Sequence, residues 1–522
     1  MKQIIKETIE QAIEKLFPGQ KVDFLVDFTK EEKFGDLSTN VAMVLAKQLK
    51  KNPLEIAEMI RNEIQDARLE KIEVAAPGYL NFSLSKSYFR EKISEINKTR
   101  SQFGSSDSGK NLKINNEFIS ANPTGPLQMG NGRGGFYGDV LSRVLKKCGY
   151  AVVSEYYIND GGSQVIKLGH SVIKDKEAVY QGDYIEKLNE KYCHLDFNTA
   201  GKKSAEYILK NSIQPTISEK MKIHFDLWLS ERKDIVEAGL TQKAIGILKE
   251  KNCTYEKDGA LWLATSKLGD EKDRVLIKSD GQNAYLASDC GYLLHKIERK
   301  FDKLIIILGA DHHGYKARLN AAAQMLGFRG DLQFIIVQLV RLVKDGKEVR
   351  MSKRAGNVVN IDELIDKVGL DVARFFFLMY SQDTHMNFDL KLAQERSQKN
   401  PVYYVQYAYA RISSILKKAK GIEWENNVDF SLIKEKKELS LIKELIKLPD
   451  LIDETSQNYE IHKLPHYAIK LADKFHSFYN AHQVIDKDNP ELSKARLNLV
   501  NAVRIVLGET LRIIGVNAPE KM

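Results

Sequence analysis

Three stretches hold residue types that could act on a phosphate together. The first, EFISANPTGPLQMGNGRGGFYGD (117–139), runs from a strand-like segment through a Pro/Gly-rich turn into a helical pattern. Gly130, Gly132, Gly134 and Gly135 open that helix, and Tyr137, Val140, Leu141, Val144 and Leu145 continue it at helical spacing. Strand, glycine-rich turn and helix N-terminus together present free backbone N–H groups and a positive dipole end, which a phosphate can occupy. The same layout also serves as a plain connection, so the turn alone decides nothing. The second stretch, ADHHG (310–314), places His312 and His313 at the end of an apolar run, where they could donate to a phosphate or carboxylate. The third, VRMSKRAGNVV (349–359), offers Arg350, Lys353 and Arg354 beside Ser352. Cations on a loop suit the charge that develops on a pyrophosphate leaving group. Paired structural histidines and solvated basic loops are common singly. In this order and spacing the three argue for one site.

The elements that must position them read as an α/β, doubly wound (Rossmann-like) domain over 106–370. Its strands are Lys113 to Ser120, Ala151 to Ile158, LIIILG (304–309) and FIIVQLV (334–340), with ligands expected at their carboxyl ends. GALWLAT and RVLIKSDGQNAYLA read as hairpin strands with a turn at Asp280-Gly281, followed by a helix from Gly291 to Arg299. A charged, largely helical stretch, about 170–252, reads as an insertion in that topology. Residues 1–105 form a separate α+β accessory unit: a first helix stopping at Pro18-Gly19, a strand in VDFLVDF, two helices, and two strands hinged at Pro77-Gly78. SQFGSSDSGKN (101–111) links the two. Residues 371–522 are almost purely helical and read as a bundle whose last helix, Lys494 to Ile514, stops at Gly515.

At 522 residues, with 43% hydrophobic and 29% charged side chains, the chain has the size and composition of a multidomain globular protein. It has no apolar run of membrane-spanning length, and its N-terminus reads as an amphipathic helix rather than a signal peptide. Four cysteines lie far apart with no CxxC pair, which argues against a zinc site or a disulfide framework and fits a reducing cytoplasm. A net charge of +9 permits a polyanionic partner without requiring one.

With these residues in view, the chain resembles the arginyl-tRNA synthetases among the class I aminoacyl-tRNA synthetases. SANPTGPLQMGNGRGG resembles their HIGH signature and RMSKR their KMSKS loop; EYYINDGGSQ, LGADHHGYKARL, DVARFFFL and NPVYYVQYAYARISSIL resemble further segments. KFGDLSTNVAMVLAK and PGYLNF extend the resemblance to the accessory unit, and GVNAPEKM to the end of the chain. The resemblance implies activation of L-arginine by ATP to an adenylate and transfer to the 3′ end of tRNA(Arg), releasing AMP and pyrophosphate. It implies ATP with Mg2+, no protein-bound zinc, no membrane, a monomer and the cytoplasm. By the same resemblance Gln128, Asn131, Lys353 and Arg350 would be catalytic, and Gly130, Gly132, His312, His313, Met351 and Ser352 would bind ATP. Glu117, Ser120, Asn122, Tyr285 and Asp289 would hold arginine, whose guanidinium carries only donors and pairs best with carboxylates. The accessory unit would contact tRNA, and the bundle would bind the anticodon through Tyr403, Gln406 and Tyr407. No large editing module fits in the central domain, consistent with a guanidinium site that rejects analogues lacking its donors.

The chain departs from the family in the signature, where Gln128-Met129-Gly130-Asn131 stands for His-x-Gly-His. Amide donors survive there, but no imidazolium charge does. A second reading is therefore a tRNA- or arginine-binding paralogue that has lost activation. A third is a nucleotidyltransferase on a small metabolite, against which the complete accessory and helical regions and the YLASD segment argue.

Overall fold

The unbroken apolar run LIIILG builds an inner strand of a five-stranded sheet in the computed structural model, which describes residues 1–310, 314–344, 347–348 and 360–522. Its strands are β1 (Lys113–Glu117), β2 (Ala151–Ile158), β3 (Leu227–Ser230), β4 (Lys303–Gly309) and β5 (Asp331–Val337). They pair in the order β5-β4-β1-β2-β3, all parallel. Helices cover both faces, which is why Leu304 to Ile307 can be apolar at every position and still be buried. From β1 the chain winds outward to β2 and β3, then returns to β4 on the other side. The crevice at the carboxyl ends of β1 and β4 is thus the topological switch point, where such sheets bind ligands.

β3 corrects the reading of 170–252 as an insertion, because Leu227–Ser230 pairs with Glu155–Ile158 as the edge strand of the main sheet. Four residues are too short for a period-2 pattern to stand out in a charged helical stretch. The small antiparallel sheet of Thr254–Lys257, Ala260–Leu263 and Arg274–Ile277 contains ALWL and RVLI as paired strands. After the turn at Asp280-Gly281 (Gly281 φ +83), however, the chain makes a single bridge, Ile277 to Asn283, and enters a helix at Tyr285 in place of a second hairpin strand.

Helix α1 (Met129–Lys147) follows β1 and packs closely against Phe118, just beyond its end. A Cβ at Gly138 would overlap the ring of Phe118, and one at Gly132 would overlap Ile361. Gly132, Gly135 and Gly138 are therefore packing positions, whereas Gly130 and Gly134 have open space beside them. A second helix, α2 (Tyr285–Glu298), starts six residues earlier than the sequence pattern suggests, which moves Asp289 from its N-terminus into its second turn.

The accessory unit packs helices Lys2–Leu16, Val41–Leu49 and Pro53–Glu63 with a four-stranded antiparallel sheet. Asn52 caps the third helix through its side chain, with Pro at the first helical turn, and Asn400 does the same for Pro401–Lys418. The C-terminal region is helical, apart from Met386–Asp389, which pairs in parallel with Val340–Lys344. Its last helix, Pro490–Ile514, ends at Gly515 (φ +70) against the buried Arg374. Arg374 pairs with Asp139 of α1 and donates to the carbonyl of Ile514 at 2.6 Å. The bundle is therefore fastened to the helix that opens the candidate site. Among the described residues no helix is long and apolar enough to cross a membrane.

Candidate active site

Two neighbouring strands bring carboxylates into the core, since Glu117 of β1 stands opposite Glu155 of β2. Helix α2 answers them along one face, where Asp289, Tyr292 and Lys296 recur at i, i+3 and i+7. The fully buried Lys296 places Nζ 2.5 Å from Glu117 Oε2 and 3.7 Å from Glu155 Oε1. The Tyr292 hydroxyl lies 2.9 Å from Glu117 and 2.5 Å from Glu155. Arg299 pairs with Glu155, and Asn115 Nδ2 donates to it at 3.0 Å. Burial opposes the charge on Glu155, but Lys296 and Arg299 outweigh it and hold the carboxyl below its ordinary value.

Asp289 is different. Its Oδ2 is buried and has no hydrogen-bond partner. Burial, then the charge of Glu231, pushes this carboxyl up to about 7. Glu231 is itself raised, first by its own burial. Glu155 is satisfied by the protein's own cations, while Asp289, which lines the cavity and is hydrogen-bonded to Tyr315, keeps one oxygen without a partner. The arrangement calls for a cation carrying several donors.

One cavity of about 750 Å³ runs from this acidic end to the first turn of α1. Glu117, Ser120, Asn122, Gln128, Asn131 and Asp289 all line it, so six of the side chains singled out in the sequence converge. Asn131 Oδ1 accepts from the backbone N–H of Gln128 at 2.8 Å, which fixes that side chain by its oxygen and leaves its NH₂ for another partner. Gln128 is exposed. The Ser120 hydroxyl donates to Glu117 at 3.1 Å and accepts from the N–H of Tyr157 at 3.1 Å. Glu117 is therefore largely occupied by Ser120, Tyr292 and Lys296, a supporting position the sequence reading did not foresee.

The other expected residues do not line this cavity among the described residues. Gly132 faces Ile361 rather than the cavity, since the two helices meet there. Gly130 is exposed on the first turn of α1 and is not among the lining residues. Tyr285 is 66% exposed, does not line the cavity, and shares a 2.6 Å hydrogen bond with Ser163. It begins α2 four residues before Asp289, on the same face but further out. His312, His313, Arg350, Met351, Ser352 and Lys353 lie outside the described residues. Sequence reasoning missed Tyr157, Tyr292 and Lys296, which stack or pair at the acidic end, and Tyr180 and Tyr184, which also line the cavity. Tyr292 and Lys296 were within reach of helical spacing from Asp289, had the start of α2 been placed at Tyr285.

Three family models divide the chain between them. They are the arginyl-tRNA synthetase N-terminal domain (residues 3–84), the catalytic domain of class I (R) tRNA synthetases (92–389) and the DALR anticodon-binding domain (405–522). An arginine–tRNA ligase of Halalkalibacterium halodurans is 41% identical, aligned over 100% of this chain and 99% of its own length. The Bacillus subtilis arginine–tRNA ligase matches at the same identity and coverage. The chain belongs to the arginyl-tRNA synthetase family. The Thermus thermophilus arginyl-tRNA synthetase shares its fold, with a TM-score of 0.81 at 22% identity over the whole of both chains. The Plasmodium falciparum enzyme has a TM-score of 0.79 at 19% identity, covering 100% of this chain and 99% of its own.

In this synthetase the residues matched by the DALR model hold a cationic aromatic face. Arg411 lies over the rings of Tyr407 (4.7 Å) and Tyr479 (5.1 Å), and Tyr407 stacks with His476 at 6.1 Å. Arg411 also donates to the hydroxyl of Tyr407. Tyr403 is half-buried one turn away. Gln406 is not part of that face: its Nε2 donates to Asp371 (2.8 Å) and to the carbonyl of Asn517 (2.9 Å). Its amide hydrogens hold the C-terminal segment in place.

Proposed function

We propose that the cavity between β1, α1 and α2 is where this arginine–tRNA ligase joins L-arginine to ATP and passes the arginyl group to tRNA(Arg). The observation that supports it is a single cavity joining the N-terminal turn of α1 to a carboxylate on α2, Asp289, that keeps one oxygen without a hydrogen-bond partner. The guanidinium of arginine pairs with Asp289, with Glu117 held behind it by Lys296 and Tyr292. The arginine carboxylate then attacks the α-phosphate of ATP, pyrophosphate leaves, and arginyl-adenylate forms. A hydroxyl at the 3′ end of tRNA attacks the acyl carbon and AMP leaves. Gln128 and Asn131 meet the phosphates with neutral N–H donors beside the dipole of α1. Rate then comes from position and charge complementarity and needs no protein nucleophile. ATP enters as its magnesium complex. The face built by Tyr407, Arg411 and Tyr479 suits an unpaired base, through stacking and a cation in one place. Tyr403 lies close enough to extend it. A single copy of the chain acting in the cytoplasm completes the reading.

Arginine- and ATP-dependent charging of tRNA(Arg), comparing wild type with Gln128→His, tests the reading. Both forms are expected to charge. No charging by wild type, with activity appearing in the histidine variant, would instead favour a paralogue that had lost activation. No charging and no arginine binding by either form would remove the assignment of the cavity.

A further inference from the structure

Arg133 sits one turn into α1, and its guanidinium is spent inside the protein. The residue is 2% exposed. Nη1 donates to the carbonyl of Gln338 at 2.7 Å, and Nη2 to the carbonyls of Ser381 (2.7 Å) and Thr384 (2.8 Å). Among the described residues no carboxylate lies within ion-pair distance of it. A buried cation held by carbonyls alone is costly, and burial lowers this guanidinium to about 10, with Asp383 working the other way. It still carries its charge at neutral pH. The carbonyls it gathers come from two segments already bonded to each other, since Gln338 donates to Gln382 (3.0 Å) and Met386 to Leu339 (3.1 Å). These are the residues that lead into the parallel pair Val340–Lys344 and Met386–Asp389.

The opposite side of the same turn is fastened too. The carbonyl of Leu127 accepts from the N–H of Ile361 at 3.0 Å, Gln128 bridges to Asn360, and Ile361 fills the notch at Gly132. The chain that leads toward residues 345–359 and the chain that leaves them are thus both anchored on the first turn of α1. The amino-acid end of the cavity rests on β1, β2 and α2 and shares none of Arg133's partners.

We propose that Arg133 is a positioning residue for the ATP half of the reaction, setting the first turn of α1, with Gln128 and Asn131, against the Val340–Lys344 strand. This rests on the function proposed above. It acts through that turn and strand and touches no substrate. Its removal changes ATP turnover and leaves arginine binding intact, a split that general loosening of the fold does not produce.

The test is arginine-dependent ATP–pyrophosphate exchange in the presence of tRNA, with arginine binding measured separately by calorimetry, for wild type, Arg133→Gln and Arg133→Lys. Arg133→Gln is expected to lower the exchange kcat on the order of 30-fold or more and to raise KM for ATP, consistent with the sensitivity of reaction geometry to small displacements. Its Kd for arginine stays within about twofold of wild type. Arg133→Lys, which keeps the charge and reaches fewer carbonyls, falls between. Equal loss of arginine binding and ATP turnover, or wild-type kinetics in both variants, overturns the proposal. If the glutamine variant does not fold, the lysine variant decides by the same split. An inactive wild type would count against the proposed function, whereas variants that match an active wild type count only against the role of Arg133.

Discussion

Asp289→Asn is expected to lower kcat/KM for arginine on the order of 10²- to 10⁴-fold, almost wholly through KM. Asparagine keeps the shape and one acceptor but removes the charge, and its NH₂ points a donor at a substrate group that has only donors. Breaking a buried pair by removing one partner costs about 3–5 kcal/mol, because the other charge is left without compensation. In the proposed pose the guanidinium lies at the opposite end of the cavity from the phosphates, so saturating arginine is expected to restore most of kcat. The same carboxyl sets the pH dependence. Its folded-state value is raised from 3.8 to about 7, first by burial, so the ligand-free site is mostly protonated below neutrality. KM for arginine should fall as pH rises through 7 and level off above it, and Asp289→Asn should abolish that slope. For stability the sign is opposite: a raised acid gives its full contribution below 3.8 and loses it as pH rises through about 7. Ligand-free Asp289→Asn should therefore melt higher than wild type at pH 8 and not at pH 4. Steady-state kinetics from pH 6 to 8.5 and thermal melts at the two extremes check both halves. A flat KM profile in wild type would show that Asp289 does not carry the guanidinium.

Much of this site could be read in the chain beforehand, and the parts that could not share physical causes. LIIILG, the turn before α1 and the Gly515 stop are local signals, set by apolar runs and by residues with restricted or permissive backbones, and they recur in the fold nearly as read. Leu227–Ser230 did not stand out, because its strand identity comes from pairing with β2, a contact made about 70 residues away. Gly132 looked like a phosphate ligand because glycine allows both close ligand approach and close helix packing; only the position of Ile361 separates the two. Gln406 carries the donors that could read a base, and its commitment to Asp371 and Asn517 depends on where the chain's last residues fold back. Glu117 and Lys296 lie 179 residues apart and form one ion pair. Chemistry that depends on local spacing was legible. Charge balance across the sheet was not, because it needs the topology first.

That balance gives the second large effect. Lys296→Met preserves length and volume but removes the one cation that, among the described residues, reaches both Glu117 and Glu155. Two buried carboxylates would then share a site with Arg299 on one side only, and the expected loss of stability is about 3–5 kcal/mol. The apparent melting temperature should drop by on the order of 5 °C or more. Three features separate this from ordinary loss of packing. Because an unpaired buried carboxylate takes up a proton, the deficit should narrow as pH falls from 8 to 5. Glu117→Gln introduced together with Lys296→Met should recover most of the loss, a coupling that a double-mutant cycle measures directly. Arginine should also stabilise Lys296→Met more than it stabilises wild type, since Glu117, freed from Lys296, faces the same cavity as Asp289 and gains a cation when the substrate binds. Equal melting temperatures for Lys296→Met and wild type at pH 8 would mean that Glu117 and Glu155 are balanced without Lys296, and the supporting role given to it here would fall.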